Sequence, residues 1–278
     1  MQPMLSVKNL VKRFGGLTAV NHVSLDVYPG QVVGMVGDNA AGKSTLIKCV
    51  SGVYQAEEGE IFFKGQRIRF VRPIDARAAG IETIYQDLAL APNLGVSANI
   101  FMGREIKKKY LGGVFHTLDE AFMNSASQKV LDTLQIRFAN FGEKIEKLSG
   151  GQRQAVAIAR AVYWQAKLMI MDEPTNNLGV VEQRKVLDLI GRLREEQVPV
   201  ILISHTLPDI FAVTDRIVVM HRGRKVAEKR TNETNSREIV RYMVGELDDT
   251  RESSRWIASA STTVLRAKDG YNWPRPAK

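Results

Sequence analysis

Cysteine is almost absent from this sequence: Cys49 is the only one among 278 residues. An intrachain disulfide is therefore excluded, and such sparing use of cysteine favours a reducing compartment. Cys49 follows Thr45 by four residues in a predicted helix, where we expect a buried thiol and not a reactive one. The function has to be sought in other residue types.

Long hydrophobic runs are also missing. The most apolar window, residues 198–220, is interrupted by charged side chains that include Asp209 and Arg216, so it does not suit a segment that crosses a bilayer. Residues 1–10 lack the basic and then apolar layout of a secretory signal. We therefore expect a soluble chain, which another protein must hold if it works at a membrane.

Acidic residues are fewer than basic ones, 30 against 39, which gives a formal net charge of +9. This excess suits an anionic partner, and charge alone does not distinguish nucleic acid, a nucleotide and an acidic membrane face. The hydrophobic share of 44% and the charged share of 25% are ordinary for a globular protein with a sizeable core. The length fits one large α/β domain.

The order of predicted elements is that of an α/β protein with additions. Residues 5–29 alternate apolar and polar side chains around Gly15-Gly16, which predicts an antiparallel hairpin. Residues 32–36 are all apolar or glycine and predict a strand buried on both faces. Residues from about 94 to 165 show helical spacing, and strands alternate with helices again from Leu168 to Met220.

A glycine-rich motif lies between the buried strand and the following helix and matches the phosphate-binding pattern G-x-x-x-x-G-K-[ST]. Backbone N–H groups in such a loop converge on phosphate oxygens, and the helix N-terminus adds a positive dipole. Lys43 is then expected to reach the β and γ phosphates of ATP, and Ser44 to bind Mg²⁺. The predicted nucleotide-binding residues here are Gly37, Asp38, Asn39, Ala40, Ala41, Gly42, Lys43, Ser44 and Thr45.

A second motif is an apolar strand that ends in two acids, Asp172 and Glu173. Asp172 stands at the strand end and is predicted to hold Mg²⁺, whereas Glu173 stands one residue further on, where an attacking water would lie. We therefore expect Glu173 to be the general base. An exposed acidic turn would not explain why apolar residues continue up to this pair.

The two motifs together predict a P-loop NTPase core with a mostly parallel sheet, an N-terminal antiparallel β layer and a helical insertion subdomain. Residues 1–246 are expected to form one domain, and charged and small polar residues predict a flexible tail over 247–278. Within the domain the core is assigned to 1–86 and 166–230, and the helical subdomain to about 87–165.

The segment Leu148–Gln152, LSGGQ, is the signature segment of the sequence. It resembles the signature of ABC ATPases, which is found in few other proteins. The resemblance implies that Ser149, Gly150, Gly151 and Gln152 bind the γ-phosphate of a nucleotide held by an opposite subunit. Two glycines permit close backbone approach, and a serine is suited to cap a helix that faces an anion.

Further positions agree with this family in their order along the chain. The resemblance implies that Phe14 stacks on adenine, that Gln86 senses Mg²⁺ and water, and that His205 contacts the γ-phosphate. Two positions depart from the family pattern. Gly179 stands where aspartate is frequent, which puts signalling between subunits in doubt. Ala40 stands where glycine is frequent and is tolerable only if its φ stays negative.

The resemblance covers residues from about 4 to 246 and implies an ATP-hydrolysing subunit that powers uptake of a small solute. The segments 37–39, 99–105, 173–175 and 178–180 are similar to ATPases of monosaccharide importers of the ribose and fructose type, and 14–20 suits branched-chain amino-acid importers as well. The implied partners are ATP, permease subunits in the membrane, a solute-binding protein reached through them, and a second copy of the chain or another ATPase.

Two other functions compete with transport. A soluble ABC ATPase that acts on nucleic acid or ribosomes is permitted by the basic charge, but such proteins usually carry two cassettes per chain. A scaffold that binds nucleotide without hydrolysis is disfavoured by the presence of Glu173 and His205. We therefore expect no nucleic-acid partner, and a location at the cytoplasmic face of the inner membrane.

Overall fold

The computed structural model describes residues 2–85, 87–110, 115–134, 136, 138 and 140–250. Its strands are β1 (Leu5–Phe14), β2 (Leu17–Val27), β3 (Val32–Gly37), β4 (Glu58–Phe63), β5 (Gln66–Ile68), β6 (Ile81–Ile84), β7 (Lys107–Tyr110), β8 (Phe115–Leu118), β9 (Leu168–Asp172), β10 (Val200–Ile203), β11 (Arg216–His221) and β12 (Arg224–Arg230). Its helices are α1 (Lys43–Val50), α2 (Pro73–Ala79), α3 (Val96–Ile100), α4 (Glu120–Thr133), α5 (Gly150–Tyr163), α6 (Val180–Glu195), α7 (Leu207–Val213) and α8 (Ser236–Met243).

The central sheet has the strand order β12-β11-β3-β10-β9-β6. All neighbouring strands in it are parallel except β11 and β12. Every residue of β3 is buried, as the unbroken apolar run predicts. Val33 and Met35 face a core shared with α1 and the N-terminal strands, whereas Val32 and Val36 face a core shared with α5 and α6. The predicted P-loop NTPase fold is confirmed.

The N-terminal layer is an antiparallel sheet of order β2-β1-β4-β5. The predicted hairpin is present, with Phe14 opposite Leu17 across the turn. Its alternating apolar residues pack inward against β3 and α1. This packing places the end of β1, and therefore Phe14, beside the start of α1.

The insertion is mostly helical, but the helical spacing predicted through 94–165 fails at β7 and β8. These strands pair as an antiparallel hairpin, Lys107 opposite Leu118. Lys107 and Lys108 are exposed, and successive lysines offer no apolar stripe that a helix could bury. A hairpin satisfies the backbone hydrogen bonds there without such a stripe.

Residues that follow Glu246, at the C-terminal end of the described chain, contact the rest of the domain. The Tyr242 hydroxyl donates to Asp249 at 2.6 Å, and Lys229 forms an ion pair with Asp249 at 3.0 Å. The rest of the predicted tail, from residue 251, lies outside the described residues. Among the helices within the described ranges, none is long and apolar enough to cross a bilayer.

The strands β3, β10 and β9 are neighbours and parallel, so their carboxyl ends meet at one edge of the sheet. The glycine-rich loop follows β3, His205 follows β10, and Asp172 ends β9. Ligands of open α/β sheets bind at this edge. The fold therefore brings Lys43 and His205, which are 162 positions apart in the sequence, to the same edge of the sheet.

Candidate functional site

A cavity of about 820 Å³ opens at the carboxyl edge of the central sheet. It brings together Phe14, most of the glycine-rich loop, both acids of the second motif, and His205. Its walls are formed by Phe14, Leu17, Thr18, Ala19, Asn39, Ala40, Ala41, Gly42, Lys43, Ser44, Thr45, Asp172, Glu173, Asn176, His205, Arg222 and Gly223.

Two glycines of the loop are required by close backbone contacts. A Cβ atom on Gly37 would lie 2.3 Å from the carbonyl oxygen of Met220, and one on Gly42 would lie 2.3 Å from that of Ala19. Both residues also have positive φ, 153° and 99°, which side chains disfavour. These contacts fix the loop between β2 and β11.

Ala40 does not meet the condition stated for it above, because its φ is +61°. A Cβ atom was expected to be tolerable at this position if φ stayed negative, and the observed φ is positive. The left-handed region costs a residue with a side chain roughly 1–2 kcal/mol. The loop thus keeps the conformation that glycine would favour and bears this strain at Ala40.

Lys43 folds back over the loop. Its Nζ donates to the carbonyl oxygens of Gly37 at 2.7 Å and Asp38 at 3.0 Å. Burial lowers the pKa of Lys43, and the negative charges of Glu173, Asp172 and Asp38 oppose this effect. The ammonium group is therefore partly desolvated, which strengthens its attraction to an incoming phosphate.

Asp172 accepts a hydrogen bond from the Ser44 side chain. Burial raises the pKa of Asp172, and the bond from Ser44 opposes that rise. A hydroxyl oxygen and a carboxylate oxygen side by side are the hard ligands that Mg²⁺ prefers. Within the described residues no group of three His, Cys, Asp or Glu side chains forms a metal cage, and Mg²⁺ is typically held by one or two carboxylates together with substrate phosphates. The pair fits this cation.

Glu173 and His205 form a contact at the same edge. His205 Nδ1 lies 2.9 Å from Glu173 Oε2, and the His205 backbone N–H also points to that oxygen at 3.4 Å. Glu173 has a φ of +54°, a strained conformation of the kind that clusters at functional sites. The Glu173 side chain is 15% exposed and that of His205 is 62% exposed, so the carboxylate is held while the imidazole faces solvent.

Phe14 lies at the end of β1, next to the loop. Its side chain is 43% exposed and packs edge-on against Tyr54, with ring centroids 5.1 Å apart. The ring is therefore not a core side chain. An exposed ring at the mouth of a cavity can stack on a base, a contact worth about 1–3 kcal/mol.

The signature segment lies outside this cavity and lines a different one of about 410 Å³, formed with α6. Ser149 caps α5 as predicted: its hydroxyl accepts from the Gln152 N–H at 3.3 Å, and Gln152 Oε1 accepts from the Ser149 N–H at 2.9 Å. The chain by itself therefore does not bring its signature segment to its own phosphate loop.

The two signature glycines have close neighbours within the same chain. A Cβ on Gly150 would lie 2.6 Å from Leu178 Cδ2, and one on Gly151 would lie 2.7 Å from Glu182 Cγ. Gly179 is also close to Glu182, whose Oε2 lies 2.9 Å from the position of a Cβ there. An aspartate at 179 would need the carboxylate end of the flexible Glu182 side chain to move.

Three lining features were not identified from the sequence. Asn176 follows the acidic pair, Thr18 and Ala19 belong to β2, and Arg222 with Gly223 forms the turn between β11 and β12. No local motif marks these residues. Asn176 lies at the cavity because it follows the acidic pair, and the packing of β2 and β11 beside the loop brings the others there. Gln86, predicted as a site residue, lies outside the described residues.

A phosphate loop between a buried strand and a helix, with two acids at the end of a parallel strand two places away, defines a P-loop nucleotide-binding protein. The model of the ABC transporter family matches residues 20–176. Because this match covers more than half of the chain, the chain belongs to the ABC transporter family.

Curated relatives agree over most of the chain. The xylose/arabinose import ATP-binding protein of Sulfolobus acidocaldarius is 46% identical over 87% of this chain and 94% of its own length. The fructose import ATP-binding protein of Rhizobium meliloti is 43% identical over 91% and 98%. A ribose import ATP-binding protein of Escherichia coli O157:H7 is 40% identical, and the match spans 47% of that longer chain.

Solved structures show the same fold. A crystal structure of the ADP conformation of an ATP-binding cassette from an ABC transporter superposes with a TM-score of 0.72 at 26% identity, over 88% of this chain and 96% of that one. A nucleotide-free cassette superposes with a TM-score of 0.72, also at 26% identity, over 87% and 95%.

Proposed function

We propose that this chain is the ATP-hydrolysing subunit of an ABC importer that takes up a monosaccharide through separate membrane subunits. The observation that carries the proposal is the cavity in which Lys43, Asp172, Glu173 and His205 meet at the end of the phosphate loop. The names of the relatives support the solute class, since they describe import of xylose, arabinose, fructose and ribose.

Binding of ATP begins with the loop and Phe14. The adenine stacks on Phe14, and the phosphates accept hydrogen bonds from loop N–H groups at the start of α1. Lys43 exchanges the carbonyl oxygens of Gly37 and Asp38 for phosphate oxygens. Ser44, Asp172 and the predicted ligand Gln86 would hold Mg²⁺, which would supply positive charge next to the phosphates.

Hydrolysis depends on Glu173. Its carboxylate accepts a proton from the attacking water, or orients that water in line with the γ-phosphorus. The contact between Glu173 Oε2 and His205 Nδ1 at 2.9 Å keeps the carboxylate in place. His205 and Lys43 stabilise the charge on the transferring phosphoryl group.

The second copy supplies the rest of the site. Ser149, Gly150, Gly151 and Gln152 lie away from their own cavity, so we assign them to the γ-phosphate held by a partner subunit. The α5 dipole and the capped N-terminus then face the anion. Two ATP molecules close the dimer, and release of phosphate reopens it.

Permease subunits are the remaining partners, and the chain works at the cytoplasmic face of the membrane that contains them. A solute-binding protein delivers the sugar to those subunits. Support comes from the relatives, which are import ATP-binding proteins. A nucleic-acid partner is not part of the proposal.

The test of hydrolysis is Glu173→Gln. This variant should bind ATP with an affinity near that of the wild type and accumulate a closed dimer, while turnover falls by at least about 100-fold, within the range that a positioned base contributes. Equilibrium binding, sedimentation and phosphate release measure the three quantities. A variant that hydrolyses ATP at the wild-type rate would remove Glu173 from the role of base.

The test of the solute class is uptake in cells. A deletion of this gene should lower the uptake of labelled pentoses or hexoses, and a copy with Glu173→Gln should fail to restore it. Uptake of branched-chain amino acids is the control and should not change. Loss of amino-acid uptake with normal sugar uptake would overturn the sugar assignment and leave the ATPase assignment intact.

A further inference from the structure

Arg222 lines the nucleotide cavity, but none of the motifs described above includes it. It is the first of two residues in the turn between β11 and β12, where His221 pairs with Arg224. Its side chain is exposed. The cavity wall contains two acids, Asp172 and Glu173, and a lysine, Lys43. Arg222 therefore supplies a second positive charge to a site that must hold a polyanion.

The turn is fixed at the cavity wall by backbone hydrogen bonds on both sides. The Gly223 N–H donates to the Ala41 carbonyl at 2.9 Å, and the Gly223 carbonyl accepts from the Asn21 N–H at 2.8 Å. Arg222 is therefore attached to the phosphate loop through one bond and to β2 through the other. Its backbone cannot drift from the cavity without breaking them.

The backbone of Arg222 is also strained. Its φ is +45° and that of Gly223 is +78°, as in two-residue hairpin turns, whose first position favours asparagine, aspartate or glycine. An arginine there gives up conformational energy that asparagine would not. Strain of this kind clusters at functional sites.

The position of the turn indicates which part of a nucleotide Arg222 reaches. A Cβ on Gly223 would lie 3.0 Å from the Ala19 carbonyl oxygen, and one on Gly42 would lie 3.2 Å from the Gly223 Cα. The turn thus lies where the β1–β2 hairpin, which carries Phe14, meets the phosphate loop. If the base stacks on Phe14 and the terminal phosphates lie on the loop, the phosphate nearest the ribose falls between them, at this junction.

We infer that Arg222 is a further nucleotide-binding residue, which pairs with the α-phosphate of ATP and ADP. The inference rests on the proposed function. Because both nucleotides carry this phosphate before and after hydrolysis, the contact contributes equally to substrate and product binding. Its loss should raise KM more than it lowers kcat.

The test uses Arg222→Asn, which removes the charge and places a favoured residue in the turn. This variant should be at least as stable as the wild type but should bind ADP and ATP about 5- to 20-fold more weakly, as expected for loss of one charged hydrogen bond at a partly exposed site. Arg222→Lys should retain most of the affinity. Adenosine, which has no phosphate, should bind both variants and the wild type alike.

Arg224→Asn is the matched control, since Arg224 is exposed, lies two residues further on, and is not among the residues of the cavity wall. It should leave ADP binding unchanged. Wild-type affinity in Arg222→Asn, an equal loss in Arg224→Asn, or an equal loss of adenosine binding would each overturn the inference. A wild-type chain that binds neither ADP nor ATP would instead overturn the proposed function.

Discussion

Ala40 has a left-handed backbone, and relieving it should stabilise the fold. Ala40→Gly removes a strain of roughly 1–2 kcal/mol and adds an unfolded-state entropy cost of about 0.4–1 kcal/mol, so a net gain of about 1 kcal/mol in the free energy of unfolding is expected. Urea denaturation without nucleotide measures it. The neighbour Ala41, which is buried, is the control, and Ala41→Gly should lower stability. A destabilised Ala40→Gly would contradict the assigned strain.

Glu82 on β6 should give the stability of the chain a dependence on pH. Burial raises the pKa of Glu82, and Arg77 and Arg104 oppose the rise, from 3.9 and 3.6 Å. The pKa of Glu82 is higher in the folded chain than in the unfolded chain. At pH values between these two pKa values the folded state binds more protons than the unfolded state, so the stability falls as the pH rises through this window. Above the window, the penalty for the charged carboxylate is fully present.

Glu82→Gln removes this titration. The variant should be more stable than the wild type at neutral pH, and the difference should shrink as the pH falls through the folded-state pKa towards the ordinary pKa of 4.5, below which it is smallest. Urea denaturation from pH 4 to pH 7.5, about the range in which domains stay folded, provides the test. A difference that is constant over this range, or a variant that is less stable at neutral pH, would show that the ion pairs outweigh burial.

The segment between β6 and α3 is held by Asn99, which is fully buried. Its Oδ1 accepts from the Ala91 N–H at 2.7 Å, and its Nδ2 donates to the carbonyl of Gly95 at 2.9 Å and that of Ala91 at 3.2 Å. Arg160 on α5 donates to the carbonyls of Leu88 and Ala89. Helices α3 and α5 therefore fix the loop that follows Gln86.

Asn99→Leu should loosen this loop selectively. The apolar side chain leaves buried backbone groups without partners, at about 1–3 kcal/mol each. Hydrogen exchange should become faster at residues 91–95 while β3 and β10 stay protected, and the free energy of unfolding should fall by about 2–4 kcal/mol. Asn232→Leu, at an exposed position, serves as the control. Unchanged exchange at 91–95 would show that other contacts hold the loop.

The strands of the core were predictable because each is a short apolar run with turn residues at both ends, as in β3 and β9. The hairpin β7–β8 was not predictable, because its successive lysines show neither the apolar alternation of a strand nor the apolar spacing of a helix. The loop and the two acids were predictable because local motifs mark them, whereas Phe14 and His205 were predicted only from the resemblance to the family. Arg222 was not, because it reaches the cavity only through the pairing of β11 with β3.

At the scale of the whole molecule, a nucleotide site shared by two copies can be tested by mixing inactive variants. Ser149→Arg should abolish hydrolysis and leave nucleotide binding to the monomer intact, and Glu173→Gln should do the same by another route. In a mixed dimer, one site contains both defects and the other contains neither. The mixture should therefore regain hydrolysis, up to about a quarter of the wild-type rate if the copies pair at random and the sites are independent.

Two controls exclude the explanation that a substitution acts only by destabilising the fold. Ser149→Arg loses a helix cap worth about 1 kcal/mol, so its stability is measured beside its activity. Either variant mixed with itself should stay inactive. No recovery in a mixture that sedimentation shows to contain dimers would argue that each copy completes its own site.

The contacts of Gly150 with Leu178 and of Gly151 with Glu182 bear on how genetic data for this chain are to be interpreted. Leu178 and Glu182 follow Glu173, the proposed general base, by five and nine residues, so a bulky substitution at either glycine also displaces side chains in the subunit that carries it. A defect found there cannot be assigned to one side of the dimer. Ser149 is the better position for such an assignment, because its side-chain partner is Gln152 in the same turn.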